Sequence, residues 1–103
     1  IILRQQVLRD FPPKELRGII DQGKKEIKSG IIISISIFEG KVGVAVGVSK
    51  DLISQYDAIS LVKIASEVLG GTGGGGRKDF AQAGGVNKDK INDVFKEILK
   101  KIN

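Results

Sequence analysis

A run of glycines beside two basic residues is the part of this sequence best suited to bind a ligand. Residues 70–85 read GGTGGGGRKDFAQAGG, so Arg77 and Lys78 follow the last glycine of the run directly. Each glycine raises the entropy of the unfolded chain, so such a run must serve close backbone approach or positive φ angles. Successive N–H groups in a glycine loop can converge on phosphate oxygens, and the two cations would add charge. The run therefore predicts a phosphate-binding surface.

The predicted binding residues are the last four glycines of the run, the basic pair, and a glutamine in the segment that follows: Gly73, Gly74, Gly75, Gly76, Arg77, Lys78 and Gln82. Each has a structural alternative. Arg77 could pair with Asp79, Lys78 could be an ordinary exposed lysine, and Gln82 could satisfy loop backbone. The alternative for the run as a whole is a flexible connector.

The sequence around the run excludes the common nucleotide-binding loops. A P-loop needs Gly-Lys-Ser/Thr at the start of a helix, whereas here the basic pair leads into Asp79-Phe80-Ala81, which is typical of a strand. A dinucleotide site has its glycines after a strand and before a helix, and this run has the reverse order.

Composition excludes several classes of site. The chain has no Cys and no His, so it has no disulfide, no thiolate or imidazole zinc site and no His-dependent triad. We therefore predict no catalytic residue and no metal ligand. Seventeen Lys and Arg against twelve Asp and Glu give a net charge of +5, which favours an acidic partner such as nucleic acid. No apolar run reaches the ~20 residues of a membrane span and no signal peptide opens the chain, so the expected location is cytoplasmic.

The first part of the chain predicts a strand and then a helix. Residues 1–9 mix apolar and polar residues in a pattern that favours a strand. Pro13 is suited to the first turn of a helix. Apolar residues and Gly23 then recur at helical spacing, and Gly30 is expected to end the helix. The opposite side carries Lys24, Lys25 and Lys28, which are typical of a solvated helix face.

A β-hairpin follows. Branched aliphatic residues alternate with small ones on both sides of Glu39-Gly40, and a two-residue turn there pairs Ile37 with Val42 and continues in the same register. One hairpin face is wholly aliphatic. The other face is small and flat, which favours the close seating of a helix.

Two more helices and one strand complete the prediction. Asp57 is expected to cap a helix that ends at Gly70. Residues 79–85 predict a short strand, and Asn87 is expected to cap a last amphipathic helix. The order is β-α-β-β-α-β-α: a single α/β domain over residues 1–103, with a mixed sheet of about four strands and three helices packed on it.

The segment after the glycine run resembles a known family. A glycine run followed by Arg-Pro-Asp, a large apolar residue and Ala-Gln-Ala-Gly-Gly is typical of the C-terminal, DHH-associated domain of bacterial alanyl-tRNA synthetases. The corresponding residues here are Arg77, Lys78, Asp79, Phe80, Ala81, Gln82, Ala83, Gly84 and Gly85. Lys50-Asp51-Leu52 after the hairpin also agrees. Lys78 departs from the family, which usually has proline there, and this puts the rigidity of the loop in doubt.

The resemblance implies a non-catalytic tRNA-binding module cut from a larger enzyme. Such a module contacts the outer corner of tRNA(Ala) and helps the aminoacylation and editing domains share one substrate. The parent ligase would use ATP, magnesium and zinc, and none of these cofactors is expected in this segment. The rest of the synthetase would be the second partner.

Two alternatives belong to other functional classes. The first is the substrate-binding domain of a DHH-type phosphodiesterase acting on short oligonucleotides or cyclic dinucleotides. In that group the glycine run is typically followed by His, and Arg77 stands in its place here. The second is a dimerisation module that forms a homodimer through the aliphatic faces of the hairpin and the last helix, although such faces are more often core.

Overall fold

The structure, a computed structural model, describes residues 2–71 and 73–102. Ile1 of the predicted first strand, Thr72 in the glycine run and Asn103 lie outside the described residues. Within the described residues, five strands and three α-helices occur in the order β1 (Ile2–Arg9), α1 (Leu16–Ile27), β2 (Gly30–Phe38), β3 (Lys41–Val48), α2 (Ala58–Val68), β4 (Gly74–Gly76), β5 (Phe80–Gly85) and α3 (Ile91–Ile102).

The strands form one mixed sheet in the order β1-β2-β3-β5-β4. β1 runs parallel to β2, and every other neighbouring pair is antiparallel. The α/β class and the mixed sheet are therefore confirmed. The predicted count of about four strands rises to five because three residues of the glycine run pair with β5. Within the described residues, no helix is long and apolar enough to cross a membrane.

The central hairpin has the predicted register. Ile37 pairs with Val42 and Ile35 with Val44. Glu39 and Gly40 have φ angles of 52° and 78°, as a two-residue turn with positive φ at both positions requires. The aliphatic face of β2 and β3 packs against α2 and α3 and forms the larger core cluster. The face on which the dimerisation alternative depended is thus core.

Helix α1 covers the opposite, flat face of the hairpin, as the small residues there predict. A Cβ at Gly43 would lie 2.9 Å from the Pro13 side chain, and a Cβ at Gly47 would overlap Ile20. Gly23 of the helix is equally close to the sheet, since its Cβ would lie 2.7 Å from Cδ1 of Ile32. The absence of side chains at these glycines lets α1 lie directly on the strands, and the domain has three layers with the sheet in the middle.

The predicted helix boundaries are partly confirmed. The Asp57 carboxylate accepts a 2.8 Å hydrogen bond from the Ile59 N–H and caps α2, and Gly70 follows that helix with a φ of 74°. Two expectations were wrong. Helix α1 ends at Ile27, where Lys28 takes a φ of 55°, and Gly30 is the first residue of β2.

The second wrong expectation concerns Asn87, which was predicted to cap α3. It makes no side-chain cap, because its amide donates to the Val68 carbonyl at 3.4 Å, and α3 begins only at Ile91 after a short 3₁₀ turn. The cap prediction depends on local sequence alone, so it missed this contact between Asn87 and the end of α2.

Candidate nucleic-acid interface

The described part of the glycine run is tied to the fold at several points. The Gly71 N–H donates to the Ser66 carbonyl at 2.8 Å, and the Gly73 N–H donates to Ser66 Oγ at 2.8 Å. At the other end, the Arg77 N–H donates to the Phe80 carbonyl at 2.7 Å and closes the β4–β5 turn. The described segments on both sides of Thr72 are therefore anchored to α2 and β5, which does not fit a free connector.

Strand β4 contains nothing but glycine, and its three residues are exposed at the edge of the sheet. Two of them must be glycine for internal reasons. A Cβ at Gly74 would overlap the backbone of β5, and Gly76 has a φ of 153° as well as a carbonyl of β5 in the way. Among the described residues, no strand pairs with the side of β4 away from β5, and an edge strand has backbone N–H and C=O groups without ladder partners.

Gly75 differs from its two neighbours. A Cβ added there would meet no atom within 4 Å, and its φ lies outside the left-handed range. In the β4–β5 register it pairs with Gln82, so both residues lie on the face of the sheet that carries α1. Gly75 is thus open to close approach from outside the protein.

Arg77 and Lys78 lie at the tip of the β4–β5 turn, directly beyond the glycine strand. The Arg77 side chain is 68% exposed, and its Nε lies 3.7 Å from Oδ1 of Asp79. Lys78 is exposed, and its carbonyl accepts the Ala58 N–H at 2.9 Å. The Lys78 backbone is thereby fixed to the start of α2 although the proline typical of the related family is absent.

Gln82 is brought close to the glycine strand, but its side chain has an internal partner. Its Nε2 donates to the Pro13 carbonyl at 2.9 Å, so the amide joins β5 to the turn before α1. The residues predicted from the glycine run therefore form one edge from Gly73 to Lys78, and Gln82 borders it on the α1 side.

Asp79 connects this edge to α1, which sequence reasoning did not anticipate. Lys24 Nζ donates to the Asp79 carbonyl at 2.6 Å and lies 3.7 Å from its Oδ2. The Lys24 side chain is only 24% exposed, so it is not the solvated residue that the pattern predicted. Two turns of helix away, the guanidinium of Arg17 lies 4.8 Å from the centre of the Phe80 ring. The helical spacing of Arg17 and Lys24 was visible, but nothing in it indicated proximity to β5.

The Lys50-Asp51-Leu52 segment lies at the same end of the sheet. Ser29 Oγ donates to one Asp51 oxygen at 2.5 Å and Ser49 Oγ to the other at 2.6 Å. These hydrogen bonds hold the pKa of the Asp51 carboxyl below its ordinary value because they stabilise the ionised form. The two hydrogen bonds to Asp51 fix the position of the segment, and Lys50 lies beside α1.

The electrostatics and shape suit an anionic polymer better than a small substrate. The edge offers exposed glycine backbone and two cations, and α1 adds two more beside it. Across residues 2–71 and 73–102, no group of three or more acidic side chains is placed to hold a metal ion. The arrangement can bind phosphates.

Comparison with known proteins gives consistent matches. The DHHA1 domain model matches residues 3–103. The chain is 48% identical over 103 residues to the alanine–tRNA ligase of Rhodopseudomonas palustris, covering 99% of this chain and 12% of that protein. It is 47% identical over 85 residues to the alanine–tRNA ligase of Hyphomonas neptunium, covering 82% of this chain and 10% of that protein. The chain thus spans about a tenth of the length of these relatives.

A solved structure matches the fold as well. The crystal structure of the C-Ala domain from Aquifex aeolicus alanyl-tRNA synthetase superposes with a TM-score of 0.89 and 31% identity, covering 96% of this chain and 88% of that chain. The chain belongs to the DHHA1 domain family, and its resemblance to the C-terminal domain of alanyl-tRNA synthetases is confirmed.

Proposed function

We propose that this domain binds tRNA(Ala) without catalysing a reaction, as the C-terminal module of a cytoplasmic alanine–tRNA ligase. The relatives are named for joining alanine to its tRNA, and this chain corresponds to about a tenth of each. The module contacts the outer corner of the tRNA and helps the aminoacylation and editing domains of the parent act on one substrate.

The observation that carries the proposal is the position of Gly75. Its conformation and its surroundings give no internal reason for glycine, yet it lies on an exposed edge strand next to Arg77 and Lys78. Close approach of an RNA backbone supplies such a reason, because ribose and phosphate can lie against bare backbone that a side chain would block. The edge recognises shape and charge, since phosphate contacts need no particular base.

The parent's cofactors belong to other parts of the synthetase. Zinc prefers thiolate and imidazole ligands, and this chain has no Cys and no His. ATP and magnesium would likewise be bound by the domain that activates alanine. In this proposal, the residues of the present chain bind and orient tRNA only.

The test is the salt dependence of tRNA binding. Arg77→Gln with Lys78→Gln removes two cations from the turn, so the slope of log K against log salt should become less steep by about 1.8 if the bound region is duplex. Lys63→Gln with Lys96→Gln is the matched control, because it removes the same charge from exposed positions on α2 and α3, in the opposite layer. The control should leave the slope nearly unchanged.

Two results would contradict the proposal. If the wild-type chain shows no tRNA binding at low salt, the domain is not an RNA-binding module. If the turn variant and the control variant change the slope equally, the binding surface lies elsewhere. Circular dichroism of each variant establishes that the fold is retained.

A further inference from the structure

A concavity lies where α1 meets the loops at one end of the sheet. It has a volume of about 610 Å³ and is lined by three lysines, three aspartates and a serine: Lys24, Lys28, Lys50, Asp21, Asp51, Asp79 and Ser49. Lys24 and Lys28 are four residues apart on α1 and its C-terminal end, and Lys50 approaches from the end of β3.

Two of the three aspartates that line the concavity have other partners, and the third, Asp21, is exposed. Asp51 accepts hydrogen bonds from two serine hydroxyls, and Asp79 lies between Lys24 and Arg77 at 3.7 Å from each. Among the described residues, neither Lys28 nor Lys50 has a carboxylate oxygen within 4.0 Å of its ammonium nitrogen. These two exposed cations are therefore available to an anionic ligand.

The concavity is continuous with the turn that carries Arg77. Asp79 contacts a cation on each side, so a single carboxylate separates Lys24 from Arg77. Arg17 extends the basic surface along α1, where its guanidinium lies on Phe80. Arg17 and Lys24 share one side of the helix by their spacing, and that side faces β5. Lys28 follows the last residue of the helix and lines the same concavity as Lys24. The result is a basic surface that runs from β4 around the turn to α1.

We propose that Lys28 and Lys50 bind backbone phosphates of the same RNA that the β4 edge contacts, with Lys24 and Arg17 beside them. The interface then has two continuous parts, which we call limbs. The turn limb is the β4 edge with Arg77 and Lys78, and the helix limb consists of Arg17, Lys24, Lys28 and Lys50. The helix limb binds phosphates whatever the base. This inference rests on the proposed function. Charge complementarity and continuity with the β4 edge favour a long polyanion over a free mononucleotide, which would occupy one limb only.

The experiment uses the double variant Lys28→Gln with Lys50→Gln, since both side chains are exposed and neither makes an ion pair. A domain of this extent has a structure of its own in A. aeolicus, so the 103-residue chain is a suitable unit. Binding of fluorescent tRNA is measured between 50 and 200 mM salt. The slope should become less steep by about 1.8, and affinity at the lowest salt should fall roughly tenfold or more.

The matched control is again Lys63→Gln with Lys96→Gln, which has the same net charge. A salt slope that becomes less steep in both the helix-limb variant and the turn variant (Arg77→Gln with Lys78→Gln), and not in the control, supports the inference. If the turn variant falls and the helix-limb variant matches the control, the inference is overturned and the proposed function stands. If the wild-type chain does not bind tRNA, both are overturned.

Discussion

Gly75 is the position where stability and RNA binding should respond in opposite directions. Gly75→Ala places a methyl group in open space, since an added Cβ meets no atom within 4 Å. The change restricts the unfolded chain and should stabilise the fold by about 0.5–1 kcal/mol. For a domain of this size, that corresponds to a melting temperature higher by roughly 2–6 °C.

The same methyl group should weaken tRNA binding. If RNA lies in van der Waals contact with the Gly75 backbone, one extra carbon in that contact should cost about 1–3 kcal/mol, by analogy with overpacking in a core. The dissociation constant would then rise by roughly 5-fold to 150-fold. The assays are thermal unfolding by circular dichroism and equilibrium binding of labelled tRNA at one fixed salt concentration.

Two matched variants separate the causes. Gly74→Ala should destabilise the fold by about 1–3 kcal/mol, because its Cβ would overlap the backbone of β5 rather than open space. Gly18→Ala, at an exposed position in the first turn of α1 where an added Cβ meets no atom within 4 Å, should stabilise the fold by about 0.5–1 kcal/mol. A Gly75→Ala protein that is more stable and binds tRNA with unchanged affinity would refute close approach at this strand. A Gly75→Ala protein that is less stable would refute the open geometry itself.

Two further predictions concern the supports of the interface. Ser66→Ala leaves the Gly73 N–H without its partner, so the free energy of unfolding should fall by about 1–2 kcal/mol and tRNA affinity should fall as well. Denaturant unfolding measures the first quantity and tRNA titration the second. Unchanged values would show that this hydrogen bond does not order the loop. The folded-state pKa of Asp51 is lowered, so its contribution to stability is present above the unfolded pKa of about 3.9 and is lost as pH falls through the lower folded value. The stability difference between wild type and Asp51→Asn should therefore narrow as the pH falls below about 5. Urea unfolding across that range measures it, and a constant difference would contradict the role given to Ser29 and Ser49.

Local patterns were sufficient for much of the fold. Alternation of branched and small residues predicted the hairpin, its turn and its register, because strand pairing across a two-residue turn depends only on neighbours in sequence. The small face of the hairpin predicted a closely packed helix, and α1 lies there. The Asp57 cap and the Gly70 stop followed for the same local reason.

Local patterns failed where a distant residue decided the outcome. Asn87 was expected to cap α3, but its amide bonds the end of α2 instead. Gly30 was expected to stop α1, but it begins β2, where a Cβ would lie 2.8 Å from Ile27 Cδ1. Residues 73–76 are all glycine, so they show no hydrophobic periodicity, and strand β4 could not be recognised before its pairing with β5 was known.

The sequence by itself determined the glycine run, its basic pair and the family resemblance, since each depends on residues that adjoin in the chain. The assignment of residues 73–78 and Gln82 to RNA binding stays a prediction. Only the tertiary structure brought Lys24, which is 55 residues from Asp79 in the chain, into contact with that residue and so joined α1 to the glycine edge. A helical repeat specifies which residues share a face of α1, but chain topology specifies which strand that face meets. For this reason the lysines that the sequence presents as an ordinary solvated face become, in the folded domain, a second limb of the proposed interface.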